Sequence, residues 1–227
     1  MFNQKSQPLG FLLSIFALLF LVTFLFAQAQ DTLLLPYDPE MESLIDVDGD
    51  IDEDEYPESF YDEPTLVNIY WGCDDSLLYI GLKAPYCAWL SIGFGSTNRE
   101  GSNLIIGIIT EDSVGVDNYI GTKDGYKAIK QDRIIEWDID EDEEENYAIM
   151  EFIYPMAFPA ESGFAVNKLE HGKSYNFNLG MSTVVAPKGK QERRAFGTFM
   201  IEEKQMVEEK PASKESMPAK KEEKKTK

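Results

Sequence analysis

From residue 65 onward, apolar and polar positions alternate along the chain in runs too short for helices and bounded by turn residues. Residues 66–71, Leu-Val-Asn-Ile-Tyr-Trp, form the first run. Cys73-Asp74-Asp75-Ser76 reads as a turn, because aspartate side chains bond nearby backbone groups there. Residues 77–83 return as the second arm of a hairpin, which Ala84-Pro85-Tyr86 breaks. Two apolar runs follow, Trp89–Phe94 and residues 104–109, joined by a Gly-, Ser- and Asn-rich connection that carries Arg99 and Glu100. Further runs cover residues 114–120, 133–137, 147–154, 174–181 and 195–201. Residues 122–131 and 156–172 read as turns and irregular chain, and the acidic residues 138–145 as a loop held open by like-charge repulsion. With no amphipathic helix in the pattern, the prediction is an all-β chain, an antiparallel β-sandwich of about nine or more strands. The connection around Arg99 then opens at one end of a sheet, where a ligand can be held.

The flanking segments have other compositions. Lys5, an apolar run over residues 10–26 and the small-residue site Ala27-Gln28-Ala29 have the pattern of a secretory signal with cleavage after Ala29. The alternative is an uncleaved membrane anchor, since about 17 apolar residues can just span a bilayer. Either way the domain is expected outside the cytoplasm, secreted or in the periplasm or cell envelope. Residues 30–43 read as linker and residues 44–201 as the sandwich. Residues 202–227, rich in Lys and Glu and without aromatics, read as a disordered tail that cannot bury enough apolar surface to offset its chain entropy.

Charge narrows the partners. The formal net charge is −20, and the tail's lysines and glutamates nearly cancel, so the acidity belongs to the folded part. Nucleic acid is excluded as a natural partner, because phosphate binding needs a basic surface. The basic end of the tail, residues 220–227, could touch a polyanion of the envelope, which leaves room for a transient envelope partner.

Little catalytic chemistry emerges. His171 is the one histidine, and it lies in the turn-like Glu170-His171-Gly172-Lys173, so neither a Cys–His dyad nor a zinc site follows from the spacing. Taken as three consecutive antiparallel strands, residues 66–72, 77–83 and 88–94 put Cys73 and Cys87 at opposite ends of a sheet. Six or so residues at about 3.3 Å each then separate them, beyond the ~7 Å reach of a disulfide. Alternating aspartates Asp46, Asp48 and Asp50 invite a calcium reading, but Gly49 comes too early and Pro57 stands where an EF-hand needs a bidentate Glu. An irregular calcium site remains the alternative to a solvated acidic turn. Trp71, Trp89 and Trp137 are either core residues or flat platforms for a planar ligand. Trp89 lies inside an apolar strand, whereas Trp137 borders the acidic segment and is expected at the rim.

Ala88-Trp89-Leu90-Ser91-Ile92-Gly93-Phe94-Gly95, followed by Gly101-Ser102-Asn103-Leu104-Ile105-Ile106-Gly107, resembles the DOMON domain. Residues 172–180 and Phe196-Gly197-Thr198-Phe199 look like that family's later strands, and Asp48-Gly49-Asp50-Ile51-Asp52-Glu53-Asp54-Glu55-Tyr56 is similar to the opening segment of related family 9 carbohydrate-binding modules. The resemblance spans about residues 45–201. It implies an extracytoplasmic β-sandwich that binds haem or sugar. Haem-binding members hold iron between a Met before the small-residue strand and a His before the last strand. Here the first position falls at Arg99 or Glu100 and the second within residues 188–194, Lys-Gly-Lys-Gln-Glu-Arg-Arg, so neither usual ligand is in place. Substitutes would be His171 with Met181 or Met156. The expected function is thus a non-catalytic ligand-binding module, with carbohydrate as the candidate ligand and without a cofactor, using Trp89, Arg99, Asn103, Trp137, Arg193 and Arg194. The alternatives are a b-type haem electron-transfer domain and an envelope protein-interaction domain.

Overall fold

In the computed structural model, the described residues are 32–204 apart from 86, 131–132, 143–145, 161–162 and 185–191. The expected signal segment and most of the tail lie outside them. Twelve strands form in chain order among the described residues: β1 (Leu33–Leu35), β2 (Glu58–Asp62), β3 (Val67–Cys73), β4 (Leu77–Pro85), β5 (Trp89–Phe94), β6 (Asn103–Thr110), β7 (Ser113–Thr122), β8 (Gly125–Ala128), β9 (Glu136–Asp142), β10 (Tyr147–Pro155), β11 (Ser174–Ser182) and β12 (Arg193–Ile201). A four-residue helix, α1 (Met41–Leu44), precedes β2. One sheet has seven strands in the order β1-β12-β11-β5-β6-β7-β8, and the other has five in the order β2-β3-β4-β10-β9. All pairs are antiparallel except β1 with β12.

The period-two pattern sets the layers. Val67, Ile69 and Trp71 of β3, Leu90, Ile92 and Phe94 of β5, and Phe177 and Leu179 of β11 alternate into one core between the sheets. Trp71 ties the layers together, with its ring centroid 5.9 Å from Phe177 and 5.7 Å from Phe199 of the opposite sheet. Aromatic contacts of this kind add to simple area burial.

Four expectations need correction. First, the described residues 32–43 of the expected linker are not plain linker. Leu33 to Leu35 pair with Phe199 to Ile201, and Leu35 and Met41 are fully buried. Second, the acidic residues 138–142 are strand, not open loop. In β9, Ile139 turns into the core while Asp138 and Asp140 face the outer side of the sheet, so alternation keeps the acids out of the inter-sheet core without breaking the pairing with β10. Third, β5 does not continue the β3–β4 hairpin. The hairpin forms, with Asp74 Oδ1 accepting from the Ser76 and Leu77 amides at 2.7 Å each, but after Pro85 the chain crosses to the other sheet. Cys73, paired with Leu78 at one end of β4, and Cys87, two residues past its other end, are buried free thiols. Fourth, residues 202–204 hold to the domain. Glu202 Oε2 accepts from the Tyr37 amide at 3.0 Å, and Lys204 pairs with Asp75 at 2.6 Å. The short strands β2 and β8 were also missed by the pattern.

Candidate functional site

The β5–β6 connection is built to be held. Asn178 of β11 lies across Gly93, where an added Cβ would stand 2.7 Å from the Asn178 Nδ2. That amide donates toward the carbonyls of Gly93, Ser96 and Asn98 at 3.3, 3.1 and 3.2 Å. At the other end of the connection, the Ser102 amide and hydroxyl donate to the Arg99 carbonyl at 3.2 and 2.7 Å. The Gly101 amide donates to the carbonyl of Gly121 on β7, and the Gly121 amide donates to the Ser102 carbonyl, each at 3.0 Å. The backbone of Arg99 is thus fixed before any ligand arrives, which lowers the ordering cost of binding.

This pinned loop forms one wall of an open cavity of about 950 Å³. Thr97, Asn98, Arg99 and Glu100 supply that wall, Thr122, Lys123 and Asp124 of the β7–β8 turn a second, and Glu192, Arg194 and Phe196 at the start of β12 a third. Phe196 points away from the core and is 58% exposed. Arg99, Lys123 and Arg194 are set against Glu100, Asp124 and Glu192, so the lining is charge-balanced on a molecule of net charge −20. Hydrogen bonds from the Thr183 amide and hydroxyl hold the Glu192 carboxyl below its ordinary range. Many polar groups and one exposed ring suit an uncharged polyhydroxylated ligand with an apolar face.

The predicted residues divide. Arg99 and Arg194, 95 positions apart in sequence, meet at this cavity. Arg193, its neighbour on the strand, turns the other way and donates from Nη1 to the Pro64 carbonyl at 3.4 Å. Trp89 is not a platform. It is 4% exposed and packs with Leu104 and Ile106, flanked by Tyr119 and Tyr126, on the covered outer face of the seven-stranded sheet. Asn103 is not a ligand contact either. Its position on β6 points it between the sheets, where its Oδ1 accepts from Asn118 Nδ2 at 2.7 Å and Asn118 in turn accepts from the Tyr154 hydroxyl at 2.5 Å. Trp137 sits at the rim, on the edge strand β9 of the other sheet and apart from the cavity.

His171 and Met181, one pair of substitute donors, are far apart along β11. His171 precedes β11 and Met181 lies near its far end, so about seven strand residues, roughly 23 Å, separate them. One haem iron cannot take both. His171 belongs instead to a corner with Tyr37, edge-on at 5.1 Å, and Glu202, whose carbonyl oxygen is 3.1 Å from Nδ1. Met156 is buried in the inter-sheet core. Among the described residues no three His, Cys, Asp or Glu side chains converge as a metal site requires. Asp48 and Asp50 instead accept local backbone bonds at 3.0 and 2.9 Å, as a turn would. Burial pushes the Cys73 and Cys87 thiols up to about 12, so neither is a thiolate nucleophile at neutral pH.

Sequence reasoning missed Asn178, Lys123 and Phe196. Phe196 carried a readable sign: Phe196-Gly197-Thr198-Phe199 puts its two rings three positions apart in a strand, on opposite faces. Asn178 carried none, because its role depends on facing Gly93 across a strand pair 85 residues away in sequence.

No protein-family model and no curated protein matches the chain. Solved structures do. The cytochrome b domain of pyranose dehydrogenase from Coprinopsis cinerea is similar over 62% of this chain and 80% of its own, at 12% identity and a TM-score of 0.48. A family 9 carbohydrate-binding module from Caldicellulosiruptor kristjanssonii, in complex with glucose, is similar over 77% of this chain and 97% of its own, at 9% identity and a TM-score of 0.45. The cytochrome domain of cellobiose dehydrogenase from Myriococcum thermophilum is similar over 66% and 90%, at 13% identity and a TM-score of 0.39. At this distance the likenesses say nothing of a ligand.

Proposed function

We propose that this chain is an exported, non-catalytic binding module that takes a small sugar in the cavity between Arg99, Lys123 and Arg194. The observation that carries the reading is the convergence of three segments far apart in sequence on one cavity, beside an exposed Phe196 and with its Arg99 wall pinned by Asn178. Export is supported by the apolar residues 10–26 and the Ala27-Gln28-Ala29 site. Haem is the weaker reading. The cavity lining includes no Met or His among the described residues, and residues 185–191 contain neither, so no side chain there offers the donor that haem iron ordinarily takes.

Calorimetric titration with glucose, cellotriose and longer neutral oligosaccharides tests the proposal. Saturable heat that Arg194→Ala weakens about tenfold, a loss of about 1.4 kcal/mol, is the expected result. No heat with any sugar, together with a Soret band after expression with haem supply, would replace this reading by the haem one.

A further inference from the structure

On the outer face of the five-stranded sheet, residues 45–57 lie as a strap. Ile45, Val47, Ile51 and Tyr56 pack with Met41 of α1 against Tyr70 of β3, Leu77 and Tyr79 of β4 and Ile153 of β10. Beneath this strap sits Glu151 of β10, fully buried. Its two oxygens are taken up by the strap: Oε1 accepts from the Tyr56 hydroxyl at 2.7 Å and Oε2 from the Gly49 amide at 3.1 Å. A buried carboxyl is stable when neutral, or when charged with a cation beside it. Glu151 has acids beside it. Asp138 of β9 stands directly opposite in the strand register. Asp140 follows two residues on, and both crowd Gly49 of the strap. Asp48 and Glu55 add negative potential from the strap itself. On β4 the opposing residue is Gly81, with Tyr79 and Lys83 to either side, and Lys83 lies over the Tyr147 ring, 5.1 Å from its centroid.

We propose that residues 45–57 form a pH-operated strap, closed over the Glu151 carboxyl while its buried side chain is neutral and loosened as the Glu151 proton is lost. Burial first, then the negative charges of Glu55 and Asp48, raise the Glu151 carboxyl to about 8, against the lowering pull of its Tyr56 and Gly49 hydrogen bonds. Burial also raises Glu55, which braces the strap by accepting from the Asp46 and Asp52 amides at 2.9 and 3.2 Å. The sign follows from linkage. A closed strap binds the Glu151 proton more tightly than an open one, so closure is complete in strength below the ordinary carboxyl range and weakens as pH rises toward about 8. Above that value both forms are ionised and the dependence levels off. Release uncovers Tyr79 and Ile153, an apolar face that the closed form hides.

Hydrogen-exchange protection of the Gly49 amide in the purified protein, corrected for intrinsic exchange, tests the proposal across pH 5 to 10. Protection should fall about tenfold per pH unit between roughly pH 5 and 8 and then flatten, as expected for one linked proton. Glu151→Gln should flatten the limb that approaches pH 8, leaving only the slope near the ordinary carboxyl range that Glu55 contributes. Tyr56→Phe removes a hydrogen bond that favours the ionised form, so the falling limb should extend to higher pH. Tyr56→Phe also stands in for Glu151→Gln if that variant fails to fold. A flat wild-type profile overturns the proposal, as does a sloping one that Glu151→Gln leaves unchanged or Tyr56→Phe does not extend.

Discussion

Gly72 and Gly93 each leave an empty place on the outer face of a sheet, and the two places are used differently. At Gly72, an added Cβ would stand 2.6 Å from the Met41 Cε, so the space receives an apolar side chain of the strap region. At Gly93 the space receives the Asn178 amide, which fastens a loop rather than covering a surface. The five-stranded sheet is therefore closed by the chain's own residues 41–57. The seven-stranded sheet keeps an open cavity whose walls are polar and charge-balanced. A strand glycine thus marks close approach on both faces, but only what fills the space tells whether the face is covered or left open.

The largest effect should come from unpacking the closed face. Met41→Ala removes a fully buried side chain from the cluster with Tyr56, Tyr79 and Ile153, and truncation of this kind costs about 2–5 kcal/mol. Denaturant unfolding should show the loss as a lower midpoint at unchanged slope, while sugar affinity at the other face stays within about twofold. Weakened sugar binding in this variant would mean that the two faces are not independent.

A smaller effect should come from forcing the cavity rim. An added Cβ at Gly121 would stand 1.6 Å from the Arg99 carbonyl oxygen, a backbone atom that cannot swing aside. Gly121→Ala must therefore displace the Arg99 turn, at a cost of about 1–3 kcal/mol, as for overpacking elsewhere. Sugar affinity should drop with it by at least about tenfold. Retained affinity in a destabilised Gly121→Ala protein would show that the position of Arg99 does not matter to binding.

The sandwich was legible because its longer strands, β3 to β7 and β10 to β12, are runs rich in branched and aromatic residues and bounded by turn residues. β9 was hidden because its outward positions are acidic, and charge density masked a regular alternation of Trp137 and Ile139 against Asp138 and Asp140. β1 was hidden because three leucines in a row show no period. Of the cavity lining, Arg99 and Arg194 were legible as cations in polar stretches. Trp89 and Asn103 were misread because the face each presents depends on strand pairing, which a one-residue change in register reverses. The buried acid Glu151 gave no sign at all, lying in Tyr147–Pro155 as a single polar residue in an apolar run.

The smallest structural effect, and the sharpest test of the open face, belongs to Phe196. Its ring points out of β12 while Gly197 beside it lies against the Phe177 ring in the interior. Removing an exposed ring leaves the core intact, so Phe196→Ala should change unfolding free energy by no more than about 0.5 kcal/mol. If the ring is the apolar platform of a sugar site, the same variant should lose about 0.5–1.5 kcal/mol of binding free energy, up to about tenfold in Kd. Phe196→Tyr keeps the platform and should keep the affinity. Loss of stability with unchanged affinity would reverse the assignment, making Phe196 a packing residue and leaving the polar walls alone to hold the ligand.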